Sequence, residues 1–592
     1  MTPALRLRQL LLSSLLVAST LCASDQPGAK SFDAWVGEFA TQWTRGSARP
    51  AAATEASPDV EDADALFLEG QRVRDERQLA LAQKGLAELA QWPAPQLDPA
   101  QRVSAALLRW HLLTFVERQP FTEHAFVFRQ LRGLHVSLVD SLAERGTLRR
   151  QRDVDDYLER LGKVATRIDE GLARSRAATG RGLIPPRFIL ERSQQQLEMF
   201  LAPPAEENIF VTSLARRSAA ITGLAPAARA AAVAKATRLV AEQVRPAYGR
   251  VRTYLAELMP RATDEAGISR MPEGGAAYAQ ALAAYTSTRL SADEIHAIGL
   301  REVARIEREM DGLLSGLGHT EGDLTQRLAR AAAGTPLPSE PEPRAVLIAR
   351  YTEIIRDAEK RSAALFNLKP RAPVEVRRVP ALTEKTASAH YTSPPADGSR
   401  GGVFWVPLPG PTFALTPRMR SLAYHEAVPG HHFQLAIQQE VKELPRFRAR
   451  RTFGGISAHS EGWALYVERL AVEDGWYEGD VPGRLGALSS ELFRAKRLVV
   501  DTGLHTKGWT RQQAIAYGIP VSEVERYVVN PGQACSYMIG MLRILEVRDK
   551  AKAALGPAFS LPAFHDVVLR TGTVPLDLLG EVIDDWIANQ RK

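Results

Sequence analysis

Cysteine is nearly absent from this 592-residue chain, occurring only at Cys22 and Cys535. Cys22 closes an N-terminal segment in which Arg6 and Arg8 precede an apolar run from Leu10 to Val17 and then small residues up to Ser24. That pattern reads as a cleaved export signal. Removal of residues 1–23 leaves Cys535 alone, so no intramolecular disulfide is possible even in an oxidising compartment. The remaining thiol, beside Ser536 and Tyr537, reads as a buried structural cysteine, with a nucleophile as the alternative. Leu21 stands where a lipidation signal wants a small residue, which favours a periplasmic or secreted protein over acylation at Cys22.

Long apolar runs are missing as well. Beyond the signal no stretch approaches the roughly 20 apolar residues of a spanning helix, so membrane insertion is not expected. Concentrated runs of one charge are also lacking. The signal takes Arg6 and Arg8 with it, lowering the formal net charge from +7 to +5. A charge of that size spread over a large surface excludes the usual nucleic-acid footprint. There is no internal repeat and no long flexible linker. Hydrophobic residues at 45% and charged residues at 24% are ordinary globular values, and the length allows a large core without staples.

From Ser31 to about Asn367 the chain is rich in Ala, Leu, Arg, Glu and Gln. Val154, Tyr157, Leu158, Leu161 and Val164 follow the i, i+3, i+4 spacing of an amphipathic helix. Breaks are expected at Pro185-Pro186, at Pro203-Pro204 and between Gly334 and Pro343. Between about Pro370 and Pro411, Val374, Val376, Val379, Tyr391 and the run Val403-Phe404-Trp405-Val406 lie among Gly and Pro, predicting a small β region. A turn is expected over 397–402, with 403–406 as an edge strand. Helical patterning resumes at Pro417. The expected organisation is a signal (1–23), a helical scaffold lobe (24–370) and a catalytic lobe (371–592), the two lobes forming one continuous unit.

Three histidines and a glutamate gather in Tyr424-His425-Glu426-Ala427-Val428-Pro429-Gly430-His431-His432. Zinc favours imidazole nitrogens with a carboxylate, and its catalytic sites keep one position open for water. A glutamate directly after the first histidine is placed as the general base for that water. The spacing is stretched. In a straight helix His431 would lie about 120° around from His425, and His432 about 10 Å further along the axis. Pro429 lacks the N–H that would bond the carbonyl of His425, so the helix must widen or kink there. A bulge would let His431 act as second ligand and leave His432 to brace a carboxylate or face substrate; the converse assignment stays open. Glu461, followed at once by Gly462, is the candidate third ligand, the glycine removing bulk beside it. Its bland alternative is a surface helix whose Glu461 and Glu468 face water.

These motifs resemble the bacterial family catalogued as domain of unknown function 885, marked by His-Glu-x-x-Pro-Gly-His-His at 425–432 and Glu-Gly-Trp-Ala-Leu-Tyr at 461–466. The likeness continues through Asp501 to His505, Gly508-Trp509 and Pro531 to Gly540. That family is in turn similar to helical zinc peptidases with two histidines and a downstream glutamate, such as carboxypeptidase Taq and angiotensin-converting enzyme. The resemblance implies a mainly α fold with a deep cleft, one zinc ion per chain and a peptide substrate. Within that scheme His425, His431 and Glu461 would hold the metal and Glu426 would act as base. Tyr537 and His505 are candidate donors to the developing oxyanion, with Asp501 orienting His505 from four residues away; a packed tyrosine and an ordinary ion pair are the alternatives. The strand containing Phe404 is expected to pair with substrate backbone, with Arg400 or Arg497 taking a substrate carboxylate. Two rival readings remain. A non-haem iron site uses the same ligand types, and a binding protein can keep such a fold without turnover.

Overall fold

The computed structural model describes residues 31–47, 67, 70–144, 148–333, 342–379, 384, 388–395, 398, 400–410, 412–413 and 416–591. The expected export signal, residues 1–23, lies outside these residues. So do 334–341 of the proline-rich break and Asp397 and Ser399 of the glycine-rich turn. Helices dominate. The amphipathic stripe opens α1 (Gln151–Gly180), with Val154, Tyr157, Leu158, Leu161 and Val164 all buried. Continuing as Ile168 and Leu172, it packs into a core formed by residues between Phe67 and Ala262.

A second, larger core joins residues from Phe32 to Phe126 and Ala178, Leu183, Phe188 and Ile189 with others from Ala266 to Ile587. The helix α2 (Ala292–Gly316) belongs to this second core. The first core has no member beyond Ala262, and the second runs on through the compositional change near residue 370.

The small sheet consists of β1 (Val374–Arg378), β2 (His390–Thr392) and β3 (Gly402–Val406). Its order is β1-β3-β2, with β3 parallel to β1 and antiparallel to β2. The expectation of an edge strand at 403–406 is thus corrected: β3 is central, and both its backbone edges are already paired. Val403, Phe404 and Val406 are buried, so side chains on both faces of this strand are covered, which suits a central position. Phe404 is 0% exposed and meets Tyr351 edge-on at 5.2 Å between ring centroids. It is a core residue, not a substrate contact.

After β3 the chain forms α3 (Met419–Glu426), α4 (His431–Glu440), α5 (Ser457–Glu473), α6 (Val481–Thr506), α7 (Val521–Val529) and α8 (Ser536–Leu555). Two glycines govern the meeting of α5 and α8. A Cβ on Gly462 would lie 2.4 Å from the carbonyl carbon of Gly540, and one on Gly540 would lie 1.9 Å from the carbonyl oxygen of Ala458. The helices touch backbone to backbone. Gly462 therefore serves this crossing rather than clearing space beside Glu461. Overpacking a filled interior costs about 1–3 kcal/mol, occasionally more. Gly540→Ala is expected to lower stability by at least that amount in urea unfolding monitored by circular dichroism; an unchanged midpoint would mean that the helices can separate at no cost.

Candidate functional site

The histidine motif does not form one widened helix, as the spacing suggested; the helix stops and restarts. α3 ends at Glu426, Ala427 leaves helical geometry at φ −113°, ψ −98°, the Val428–Pro429 bond is cis, and α4 begins at His431. Proline cannot donate the next helical hydrogen bond, which accounts for the stop. Gly430 accounts for the tight return, because a Cβ there would sit 2.0 Å from the carbonyl oxygen of His425 and 2.2 Å from that of Tyr424. The indole of Trp463, fully buried on α5, donates to the carbonyl of Pro429 at 3.0 Å. This reversal sets the rings of His425 and His431 4.9 Å apart between centroids and nearly perpendicular.

Glu461 reaches the same point from α5. Its Oε2 lies 3.5 Å from Nε2 of His425 and 3.3 Å from Nε2 of His431. The three ligand atoms all fall within 4.8 Å of one another. Tetrahedral zinc, with bonds near 2.0–2.1 Å, would place neighbouring ligand atoms about 3.3 Å apart. That Oε2 is also buried with no hydrogen-bond partner, although two imidazole nitrogens stand close to it. An orphaned acceptor of this kind, with nitrogens at the edge length of a tetrahedron, fits a shared cation.

Charge around these atoms follows from burial. Burial opposes ionisation of Glu461, but the imidazoles of His431 and His425 outweigh it and hold its carboxyl far below the ordinary range. For His425 burial opposes protonation, yet Glu461 and Glu468 push it up to about 9. Burial also raises the carboxyl of Glu426, with the two imidazoles acting against it. Two buried carboxylates and the half-buried Glu461 around two imidazoles make a site that favours positive charge.

His432 takes no part in the donor set. Its Nδ1 is 2.9 Å from the hydroxyl of Tyr391 on β2, and burial lowers its pKa to about 4. Tyr537 is brought to the site, its ring stacked with that of His425 at 6.3 Å. The guanidinium carbon of Arg497 lies 4.4 Å from the other ring, that of Tyr537. His505 is a correction. It is fully buried, Nδ1 accepts from the backbone N–H of Ile268 and Nε2 donates to the carbonyl of Tyr527, each at 3.1 Å. No ring nitrogen remains for a substrate or for Asp501. Asp501 instead accepts from the hydroxyl of Tyr278 at 2.7 Å and from the N–H of Gly532 at 2.9 Å. Both residues brace the fold. Arg400 bonds the neighbouring carbonyl of Gly401 at 2.9 Å. Cys535 is fully buried, and burial raises its thiol pKa, as expected of a structural cysteine.

Two residues were missed in the sequence. Glu468, two helical turns beyond Glu461 on α5, accepts from Nδ1 of His425 at 2.8 Å and from the hydroxyl of Ser421. It is 3% exposed, which removes the alternative in which it faces water; its i+7 spacing from Glu461 was the available signal. His390, on β2, lies within electrostatic reach of Glu426 and stacks on Trp405 at 6.3 Å. Its surroundings in sequence carry no motif that would have marked it.

The fold and cluster define a mainly helical protein with a His-His-Glu donor set in which His425 is buried and His431 and Glu461 are half-buried. The sequence pattern described as "Bacterial protein of unknown function (DUF885)" matches residues 50–583, and the chain belongs to that family. Two solved structures are similar over nearly their whole length. "The putative lipoprotein from Colwellia psychrerythraea" is 28% identical with a TM-score of 0.82, covering 94% of this chain and 100% of that one. "A putative lipoprotein of unknown function from Shewanella oneidensis" is 19% identical with a TM-score of 0.71, covering 93% and 99%, and shows the fold alone. No match was found among curated proteins.

A carboxylate behind a ligating histidine fixes its tautomer and raises its basicity, and its loss costs about 10–100-fold in metal affinity. Were zinc held by this donor set, Glu468→Gln would weaken its binding by that factor in competition with a chromophoric chelator. Unchanged affinity in the folded variant would assign Glu468 a purely structural role.

Proposed function

We propose that this protein is an exported, zinc-dependent peptidase. The observation that carries the reading is the orphaned Oε2 of Glu461 between the Nε2 atoms of His425 and His431. These three residues would hold one zinc ion per chain. Zinc bound there would supply a Lewis acid and activate water near neutral pH.

The protein's own groups account for the remaining steps. Glu426, adjacent to the first ligand and buried, takes the proton of the attacking water as the new C–O bond forms and then delivers it to the departing amine as the amide C–N bond breaks. Tyr537 donates a hydrogen bond to the carbonyl oxygen as negative charge builds there, a contribution of about 3 kcal/mol. Arg497, packed over its ring, holds the phenol in place. Export is supported by the N-terminal signal and by the description of the 28% identical relative as a lipoprotein. Leu21 before Cys22 favours release over acylation for this chain. No helix among the described residues is long and apolar enough to cross a membrane.

The test is elemental mass spectrometry on mature protein purified without chelators, with His431→Ala and His432→Ala in parallel. About one zinc per chain is expected, lost in His431→Ala and retained in His432→Ala. Folded protein that takes up no zinc would defeat the reading. Glu426→Gln should keep zinc while losing roughly 10²–10⁴ in rate on a peptide library. Full activity in that variant would remove Glu426 from the base role.

A further inference from the structure

Three arginines stand together beside the donor set without enough acid to balance them. Arg418 immediately precedes α3, two helical turns before His425 and therefore on the same face, about 10 Å along the axis. Its position is set by Gly486 on α6, where a Cβ would lie 2.4 Å from the carbonyl oxygen of Pro417 and 3.0 Å from the nitrogen of Arg418. Ser490, one turn further along α6, holds two of the three arginines. Its hydroxyl accepts from Nε of Arg418 at 3.2 Å, and its carbonyl accepts from Nη1 of Arg494 at 3.1 Å. The third, Arg497, follows one turn later and shares the ring of Phe493 with Arg418, their guanidinium carbons 4.6 and 6.0 Å from its centroid.

Among the described residues two carboxylates pair with these cations, and both are shared. Glu468 is 3.7 Å from Nη2 of Arg494 but is already committed to His425. Glu523 is 2.8 Å from Nη2 of Arg497 but also pairs with Arg526 at 2.9 Å. Arg418 has a hydroxyl partner, is exposed, and lies within electrostatic range of Arg494, Arg497, Glu468 and Tyr351. Tyr351 is in turn within range of Glu426. Nη1 of Arg497 and Nε of Arg494 are buried donors with no partner, although buried guanidinium N–H groups are normally satisfied. Arg497 is 7% exposed, clamped by Glu523 and by the hydroxyl of Tyr527 at 3.0 Å.

We infer that this arginine group, with Arg418 at its exposed end, binds a carboxylate of the substrate. The inference rests on the peptidase reading and narrows it to peptides that carry a carboxylate within a few residues of the cleaved bond. About 10 Å of helix between Arg418 and His425 corresponds to roughly three residues of extended peptide. A guanidinium fork suits a carboxylate in both charge and shape. The carboxylate has two sources, an acidic side chain or the free C-terminus.

Calorimetric peptide binding to full-length mature protein carrying Glu426→Gln separates these sources while keeping the proposed ligands untouched. The probes are acetylated penta-alanine as free acid and as amide, and amidated penta-alanines in which Glu or Gln replaces each alanine in turn. Carboxylate forms should bind roughly 10-fold or more tightly than their neutral counterparts, the size expected of one or two charge-assisted hydrogen bonds. An advantage confined to the free acid identifies the C-terminus, and one confined to the Glu series identifies a side chain. Adding Arg418→Gln should abolish the preference while leaving the thermal unfolding midpoint unchanged, because that side chain is exposed. Equal or absent binding of charged and neutral probes overturns the inference, as does a preference that survives Arg418→Gln. A carboxylate preference in protein that takes up no zinc would instead sink the peptidase reading and leave a carboxylate-binding site standing.

Discussion

Glu468 occupies the position on which the rest of the site depends. It sits beneath His425 on α5, accepts from Nδ1 of that ring and from Ser421 on α3, and faces Arg494 on α6. A buried carboxylate is tolerated only when hydrogen bonds and opposite charge replace its water, and here two neighbouring helices, α3 and α6, supply them. Locking Nδ1 of His425 turns Nε2 toward Glu461 and His431. The same carboxylate draws Arg494 inward and so connects the donor set to the arginine group. Ion pairing, ligand orientation and the positive wall beside the site are parts of one electrostatic arrangement.

The turn between the two histidines works by a different means. Gly430 permits backbone to meet backbone where any side chain would collide with the carbonyls of His425 and Tyr424, and Trp463 fixes the turn from across the core. Trp463 belongs to the segment that supplies Glu461, two residues earlier on α5. The helix that delivers the third donor therefore also pins the reversal that brings the first two together. The aromatic residues following Glu461 are legible in this light. Trp463 holds the reversal, and Tyr466, with its hydroxyl 2.7 Å from Nε2 of His565, anchors the buried face of α5.

Much of this was legible in the sequence, and the losses have physical causes. The stripe at 154–164 and the general helical patterning declare themselves because burial on one face imposes a period close to 3.6. The β cluster between 370 and 411 was visible in its valines and aromatics, but strand order was not, because pairing partners are far apart in sequence. His425, His431 and Glu461 stood out by chemistry and by resemblance, and the structure brings them together. The way it does so was hidden: spacing suggested a bulged helix, whereas proline and glycine make a stop, a reversal and a restart. His505 misled because an Asp four residues earlier looks like an orienting pair, and only the long-range backbone groups of Ile268 and Tyr527 reveal that both nitrogens are spent.

Gly462 shows how a correct focus can carry a wrong reason. Its neighbour Glu461 belongs to the donor set, but the glycine faces α8, against Gly540. Tyr537 lies three residues before Gly540 on that same helix. The side-chain-free crossing therefore sets how closely Tyr537 approaches the ring of His425, as well as how well the core is filled. A larger residue at either glycine would move α8 away from α5 and carry the phenol with it. Stability and site geometry are coupled there because the helices have no side chain between them that could yield instead.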